Sequence, residues 1–209
     1  MRWRRVALAG VLLVAAVQAA PPAATSADGR WRLVADGTAL TVFDASGQPV
    51  RRHVAPSAAG VFDAVPRRSF VVIFDTLPEL WEISYDPQAE LIYQGLVHDY
   101  RLREGIAEPG FLNPRRTRLD APLREPGFDS SHAFVIARAP NQPDGQAVLF
   151  LVQLDVRKTL AVFTLHGDPD TAAVRRVWRD GREILEVPDR RGGPALRIDP
   201  RAARVLGPP

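Results

Sequence analysis

The sequence predicts an all-β chain of the β-propeller type, with about four blade-like antiparallel units, and three observations predict it. From residue 30 onward no segment keeps a 3.6-residue apolar period over the ~11 residues that an amphipathic helix needs. Short runs of β-branched and aromatic residues recur instead, punctuated by Gly, Pro and Asp. These runs also come in a repeated order at a near-constant interval. A β-sandwich with Greek-key connections is the competing architecture, because strand periodicity alone does not separate the two.

The first unit runs Trp31 to Ala35, Ala39 to Phe43, Asp44, then Val50 to Val54. The second runs Phe70 to Phe74, Leu80 to Tyr85, Asp86, then Leu91 to Val97. The third runs Phe134 to Arg138, Val148 to Leu154, Asp155, then Leu160 to Leu165. The fourth runs Glu183 to Val187, Leu196 to Ile198, Asp199, then Ala203 to Leu206. The four aspartates lie 42, 69 and 44 residues apart. Without an insertion of about 26 residues in the middle interval, the period is about 43, the length of a propeller blade. Asp suits this position because its carboxylate accepts hydrogen bonds from the backbone N–H groups of the turn that follows. No unit has enough apolar surface to fold alone, so each must bury its faces against its neighbours.

With 209 residues, 46% apolar and 24% charged, the chain has the composition of one globular domain, expected over 21–209 with an inserted loop near 98–128. Its net charge is +3, and three of its 27 bases, Arg2, Arg4 and Arg5, precede residue 20, which leaves the rest neutral. The charge balance therefore gives no support for nucleic-acid binding by electrostatics, and no nucleic acid is expected as a partner. Those arginines, the apolar run Val6 to Val17 and the small-residue site Val17-Gln18-Ala19 read as an export signal over residues 1–20, cleaved after Ala19 or Ala20. The apolar run is shorter than the ~20 residues of a membrane-spanning helix, so no stable anchor is expected. The absence of cysteine excludes disulfides, thiolate metal sites, lipid attachment through cysteine and a cysteine nucleophile. The expected location is the periplasm or the medium.

Several strings together carry a resemblance. They are Asp63-Ala64-Val65-Pro66-Arg67-Arg68-Ser69-Phe70, Leu77-Pro78-Glu79-Leu80-Trp81-Glu82-Ile83-Ser84-Tyr85-Asp86-Pro87, Val97-His98-Asp99-Tyr100 and Phe128-Asp129-Ser130-Ser131-His132. Over about residues 60 to 166, half the chain, the sequence resembles the haem d1 domain of cytochrome cd1 nitrite reductase and the related periplasmic propeller proteins of d1-haem biosynthesis. The resemblance implies an eight-bladed propeller that holds d1 haem, with arginines on its carboxylates and histidines near the iron. This chain has four repeats, and Leu123-Arg124-Glu125-Pro126-Gly127 puts Arg124 where the reductases have a distal histidine.

Of the four histidines, His166 falls near the second distal histidine that the resemblance implies, and is the candidate iron ligand. His98, beside Asp99 in the insertion, is a further candidate for cofactor binding, His132 opens a strand, and His53 carries no assignment. Arg101, Arg115, Arg116 and Arg124 are candidates for clamping carboxylates, since guanidinium presents a planar fork to them. Glu79 and Glu82 face opposite sides of one strand and do not form an acid/base pair. No nucleophile elbow, zinc helix, phosphate loop or dinucleotide fingerprint occurs.

The expectation is a secreted propeller-type protein of the cytochrome d1 family that binds or handles d1 haem or a related tetrapyrrole without being a competent nitrite reductase. The alternative is a non-enzymatic interaction module, which docks on a partner protein or completes itself as a homodimer. A third reading is a reductase subunit whose other half comes from another chain.

Overall fold

The structure is a computed structural model that describes residues 20–93, 107–140 and 146–206. The expected export segment therefore lies outside the described residues up to position 19. The first sheet is formed by Ala23–Thr25 (β1), Trp31–Asp36 (β2), Ala39–Asp44 (β3) and Pro49–Val54 (β4). The second begins with Ala58–Ala64 (β5), Ser69–Phe74 (β6) and Glu79–Ser84 (β7). A separate ribbon of Ile92–Tyr93 (β8) and Ala107–Glu108 (β9) follows before Pro114–Arg118 (β10) completes that sheet. The third sheet is Arg124–Phe128 (β11), Phe134–Arg138 (β12), Ala147–Gln153 (β13) and Lys158–Leu165 (β14). The fourth is Arg175–Arg179 (β15), Arg182–Val187 (β16), Leu196–Asp199 (β17) and Arg204–Leu206 (β18).

Each of these four-stranded sheets is an antiparallel meander, and the chain finishes one before starting the next. That is the architecture of propeller blades and not of a Greek-key sandwich. The first strands of the sheets lie against one another, β1 on β5 and β5 on β11, so they form the inner side of the stack.

Three apolar layers glue the four blades. Leu33, Leu40 and Val42 pack on Phe70, Val72 and Phe74 between the first and second sheets. Val71, Ile73 and Leu80 pack on Val135, Phe150 and Val152 between the second and third. Ile136, Leu149 and Leu151 pack on Leu185, Val187 and Ile198 between the third and fourth. Blades covered on both faces carry continuous apolar strands, since successive side chains point to opposite faces. Accordingly every residue of β6, Ser69-Phe70-Val71-Val72-Ile73-Phe74, is buried, and β13 sends Leu149 and Leu151 one way and Phe150 and Val152 the other. The outer blades alternate, as in Trp31-Arg32-Leu33-Val34-Ala35-Asp36, whose odd positions face the core and whose Arg32 and Asp36 face out.

Asp44, Asp86, Asp155 and Asp199 each close the third strand of a blade. The Asp44 carboxylate accepts from the backbone N–H groups of Ser46 and Gln48, at 2.9 and 3.0 Å. Asp86 accepts from Gln88, and Asp199 from Arg201 and Ala202. Asp155 differs, accepting from the Arg67 guanidinium at 2.7 Å.

The structure corrects two expectations. The third recurring run of the second unit, expected at Leu91 to Val97, contributes only β8 within the described residues, and β8 pairs with β9 outside the blade. The strand that completes the blade is β10, inside the stretch expected as an inserted loop near 98–128, and β11 lies there too. Arginine stems hide β10 from a hydrophobicity pattern, because Pro114 and Thr117 are its only buried residues. The first strand of every blade also went unpredicted. These inner strands are short or rich in Ala, Gly and Arg, as in Ala-Ala-Thr, Ala-Ala-Gly-Val-Phe-Asp-Ala and Arg-Arg-Val-Trp-Arg.

Candidate functional site

Strand direction divides the stack into two ends. The loops between second and third strands gather at one end with the blade-to-blade links, and the remaining turns gather at the other. We call them the link end and the turn end.

At the link end, β11 enters its sheet through a bulge. Its register against β12 shifts between Arg124 and Gly127, and Glu125 takes a left-handed conformation with φ 52°. Non-glycine residues rarely adopt that conformation, and a bulge re-aims the side chains it carries. A short 3-10 turn at Thr171–Ala173 packs on the bulge, with the Thr171 hydroxyl donating to the Glu125 carbonyl. Gly127 permits this close approach, because a Cβ there would stand 2.3 Å from the Thr171 carbonyl oxygen.

The re-aimed residues join a charged cluster. Arg138 pairs with Asp168 at 2.9 Å and with Glu125 at 3.6 Å. Arg190 pairs with Glu125 at 2.8 Å and Asp170 at 3.0 Å, and these hydrogen bonds hold Arg190 firmly protonated and Asp170 below the usual carboxylate range. Arg124 is exposed, 4.0 Å from Asp75. Arg124, Glu125, Arg138, Asp168 and Arg190 all line a cavity of about 240 Å³.

A larger groove adjoins this cavity. Residues 168–170 and 188–190 are zipped together by Asp170 N–H to the Pro188 carbonyl, Arg190 N–H to the Asp168 carbonyl, and a bridge between Pro169 and Asp189. Asp168 and Arg190 face the charged cavity, whereas Pro169 and Asp189 line a groove of about 610 Å³. Leu165, Val187, Pro188, Leu196 and Leu206 make that groove largely apolar, and the exposed His166 lies on its wall. The link end thus sets an apolar groove with an imidazole beside a cavity with three guanidinium groups.

Of the residues selected from sequence, His166 and Arg124 share the link end. Arg115 and Arg116 do not join them. They are neighbours on β10 and point to opposite faces, Arg115 opposite Glu82 and Arg116 opposite Trp81, where its guanidinium lies 4.4 Å from the ring centroid. His98 and Arg101 lie outside the described residues. Sequence reasoning missed Arg138, Arg190, Glu125, Asp168 and Asp170. The legible signal was positional, since all five stand where one strand or blade hands over to the next.

The turn end holds a different network. Glu82, almost wholly buried, accepts two bonds from Arg67 at 2.7 and 3.2 Å, two from Arg115 at 3.1 and 2.8 Å, and one from the Ser69 hydroxyl at 3.0 Å. Arg67 then reaches Asp155 and Arg115 reaches the Leu154 carbonyl, which clasps the second blade to the third. Glu79 serves elsewhere, accepting from the Trp81 indole at 2.7 Å, in line with its opposite facing. Nearby, the Tyr85 hydroxyl donates to Asp63 at 2.8 Å, and burial pushes both groups up. His132 stacks on Phe128 with centroids 4.9 Å apart, and its Nδ1 is buried without a partner among the described residues. His53 donates through Nε2 to the Leu112 carbonyl at 2.8 Å, since a carbonyl oxygen can only accept.

The fold and the link-end site define a β-propeller-type protein with four blades among the described residues. Among solved structures the chain is similar to dihydro-heme d1 dehydrogenase NirN, solved in complex with DHE, with a TM-score of 0.65 and 23% sequence identity over 88% of this chain. It spans 36% of that protein's chain. No protein-family model matches the sequence, and no curated protein matches it.

Proposed function

We propose that the chain is an exported propeller-type protein that binds or handles d1 haem or a related tetrapyrrole at its link end, without reducing nitrite itself. The observation that carries this reading is the juxtaposition of the apolar groove bearing His166 with the cavity bearing Arg124, Arg138 and Arg190. A carboxylated macrocycle needs both: apolar walls for its plane and forked donors for its acid groups. The groove's volume of about 610 Å³ falls in the usual range for small-molecule sites, ~300–1,000 Å³. The likeness to a propeller solved with a d1-type ligand supports the same ligand class.

An iron tetrapyrrole would supply a redox-active metal and a light-absorbing ring. In this reading His166 would hold the metal through its imidazole, and the apolar groove walls would hold the ring. Arg124, whose nearest acid is 4.0 Å away, meets a ligand carboxylate first. Arg138 and Arg190 follow by exchanging Glu125 and Asp168 for ligand oxygens. Arg115, engaged by Glu82 and the Leu154 carbonyl, serves the fold. His98 and Arg101, which lie outside the described residues, stay in the reading as further candidates for holding the ligand.

Titration of the purified protein with d1 haem, and with iron protoporphyrin as a second probe, tests the proposal by absorption spectroscopy. Saturable binding with a shifted Soret band is expected. H166A should lose the shift, and R124A with R190A should weaken binding by about 1.5–3 kcal/mol for each charge-assisted hydrogen bond lost. A colourless protein that leaves both spectra unchanged would refute the reading and leave the non-enzymatic interaction module in its place.

A further inference from the structure

The face of the fourth sheet turned away from the third is unlike the other blade faces. By register it carries Arg175, Val177 and Arg179 on β15, and Arg182, Ile184 and Glu186 on β16. Arg197 and Asp199 on β17, with Arg204 and Leu206 on β18, complete it. Five arginines thus stand on this face against two acids, Glu186 and Asp199. The opposite face of the same sheet supplies Leu185, Val187 and Ile198 to the third apolar layer. The outward face of the first sheet, with Val34, Thr41, Phe43 and Val54, is mostly uncharged and carries Arg32 and Arg52 with Asp36.

The two acids are already shared. Glu186 lies 2.9 Å from Arg197 and 3.8 Å from Arg179, and Asp199 lies 3.6 Å from Arg182. Arg175 and Arg204 are exposed and have no ion-pair partner among the described residues. Arg179 stands directly opposite Arg182 across the hairpin. Like charges at a cross-strand pair destabilise a sheet, and here the two side chains remain next to each other. The face therefore carries uncompensated repulsion that carboxylates from outside would relieve. In the row Arg175, Glu186, Arg197 the sign alternates along the hydrogen-bonding direction, which suits a partner whose carboxylates interdigitate with the arginines. A uniformly anionic lipid surface would meet Glu186 and Asp199 with repulsion, and the face projects no exposed apolar side chain to insert into a membrane.

We propose that this outward face of the fourth sheet docks a carboxylate-rich protein surface. The planar guanidinium forks pair with carboxylates bidentately, and complementary charge speeds encounter and selects the partner. Glu186, Arg197 and Leu206 of this face also border the groove, whereas Arg175, Arg179 and Arg204 line neither the groove nor the cavity, so changing those three tests the docking face apart from tetrapyrrole binding.

The test uses the full chain and a fluorescently labelled poly-L-glutamate peptide as the probe, followed by anisotropy across a salt series. Binding at low salt that weakens steeply with added salt is expected. R175E/R179E/R204E should weaken it at least tenfold, whereas R32E/R51E/R52E, with the same change in net charge, should leave it within twofold. R175A/R204A supplies a milder variant with the same expected direction, and circular dichroism checks that each variant folds. Equal losses in the two triple variants would overturn the proposal, since net charge alone would then explain binding. Absence of binding at low salt would overturn it too, as would tighter binding to phosphatidylglycerol vesicles through the same arginines.

Discussion

Removing the Glu82 carboxylate should unclasp the second blade from the third. Its two oxygens hold two guanidinium groups by four hydrogen bonds, and the Arg67 side chain retains only 15% of its exposure and Glu82 only 9%. Breaking a buried pair by deleting one partner costs about 3–5 kcal/mol, because the remaining charge stays desolvated. Arg115 is about a third exposed and recovers some hydration, so E82A belongs at the lower part of that range, near 3 kcal/mol. In a chain of this size each kcal/mol moves the midpoint by about 2–4 °C, which gives a fall of roughly 6–12 °C. Thermal and urea unfolding, followed by far-ultraviolet circular dichroism, measure the change. A charge-free replacement, E82L with R67M and R115M, should recover much of the loss, since well-packed apolar groups often substitute for buried ion networks. An E82A variant within about 1 kcal/mol of the parent would refute the reasoning and mark the network as solvent-screened.

Stability should also respond to pH through two histidines. Burial, the largest effect on each, holds His53 and His132 below the usual imidazole value, so between those lowered values and ~6.5 the unfolded chain binds more protons than the folded one. The midpoint should be level above about pH 7 and fall as pH drops from ~6.5 towards the lowered folded-state values, below which these two groups add no further loss, and H53N/H132N should flatten that fall. Asn suits position 132, where φ is 55°. Gly110 and Gly127 should not tolerate alanine: a Cβ would stand 2.0 Å from the Glu90 carbonyl oxygen at the first and 2.3 Å from that of Thr171 at the second. Lowered midpoints are expected for both, and G127A, whose site is the β11 bulge, should also weaken tetrapyrrole binding in the titration described above.

The order of strands in the sequence determined the fold class and the repeat. Core strands such as those at Phe70 to Phe74 and Val148 to Val152 are legible because both of their faces are buried, which writes an unbroken apolar run. Three of the four turn aspartates, Asp44, Asp86 and Asp199, are legible for a similar reason, since each satisfies backbone donors within a few residues of itself. His166 and Arg124 were legible as residues at a strand end and beside a blade boundary. What the sequence left open depends on partners far away along the chain. Arg115 reads as a ligand clamp until Glu82, 33 residues earlier, is seen to occupy it. Arg190 joins Glu125 across 65 residues, and Arg138 joins Asp168 across 30. The inner strands and β10 become strands only because neighbouring sheets supply their cover and their hydrogen bonds. Local periodicity records which face of a strand is buried. Which charges meet across blades, and at which end of the stack, was decided by the tertiary structure alone, because antiparallel strand directions sort loops into two ends that no local pattern marks.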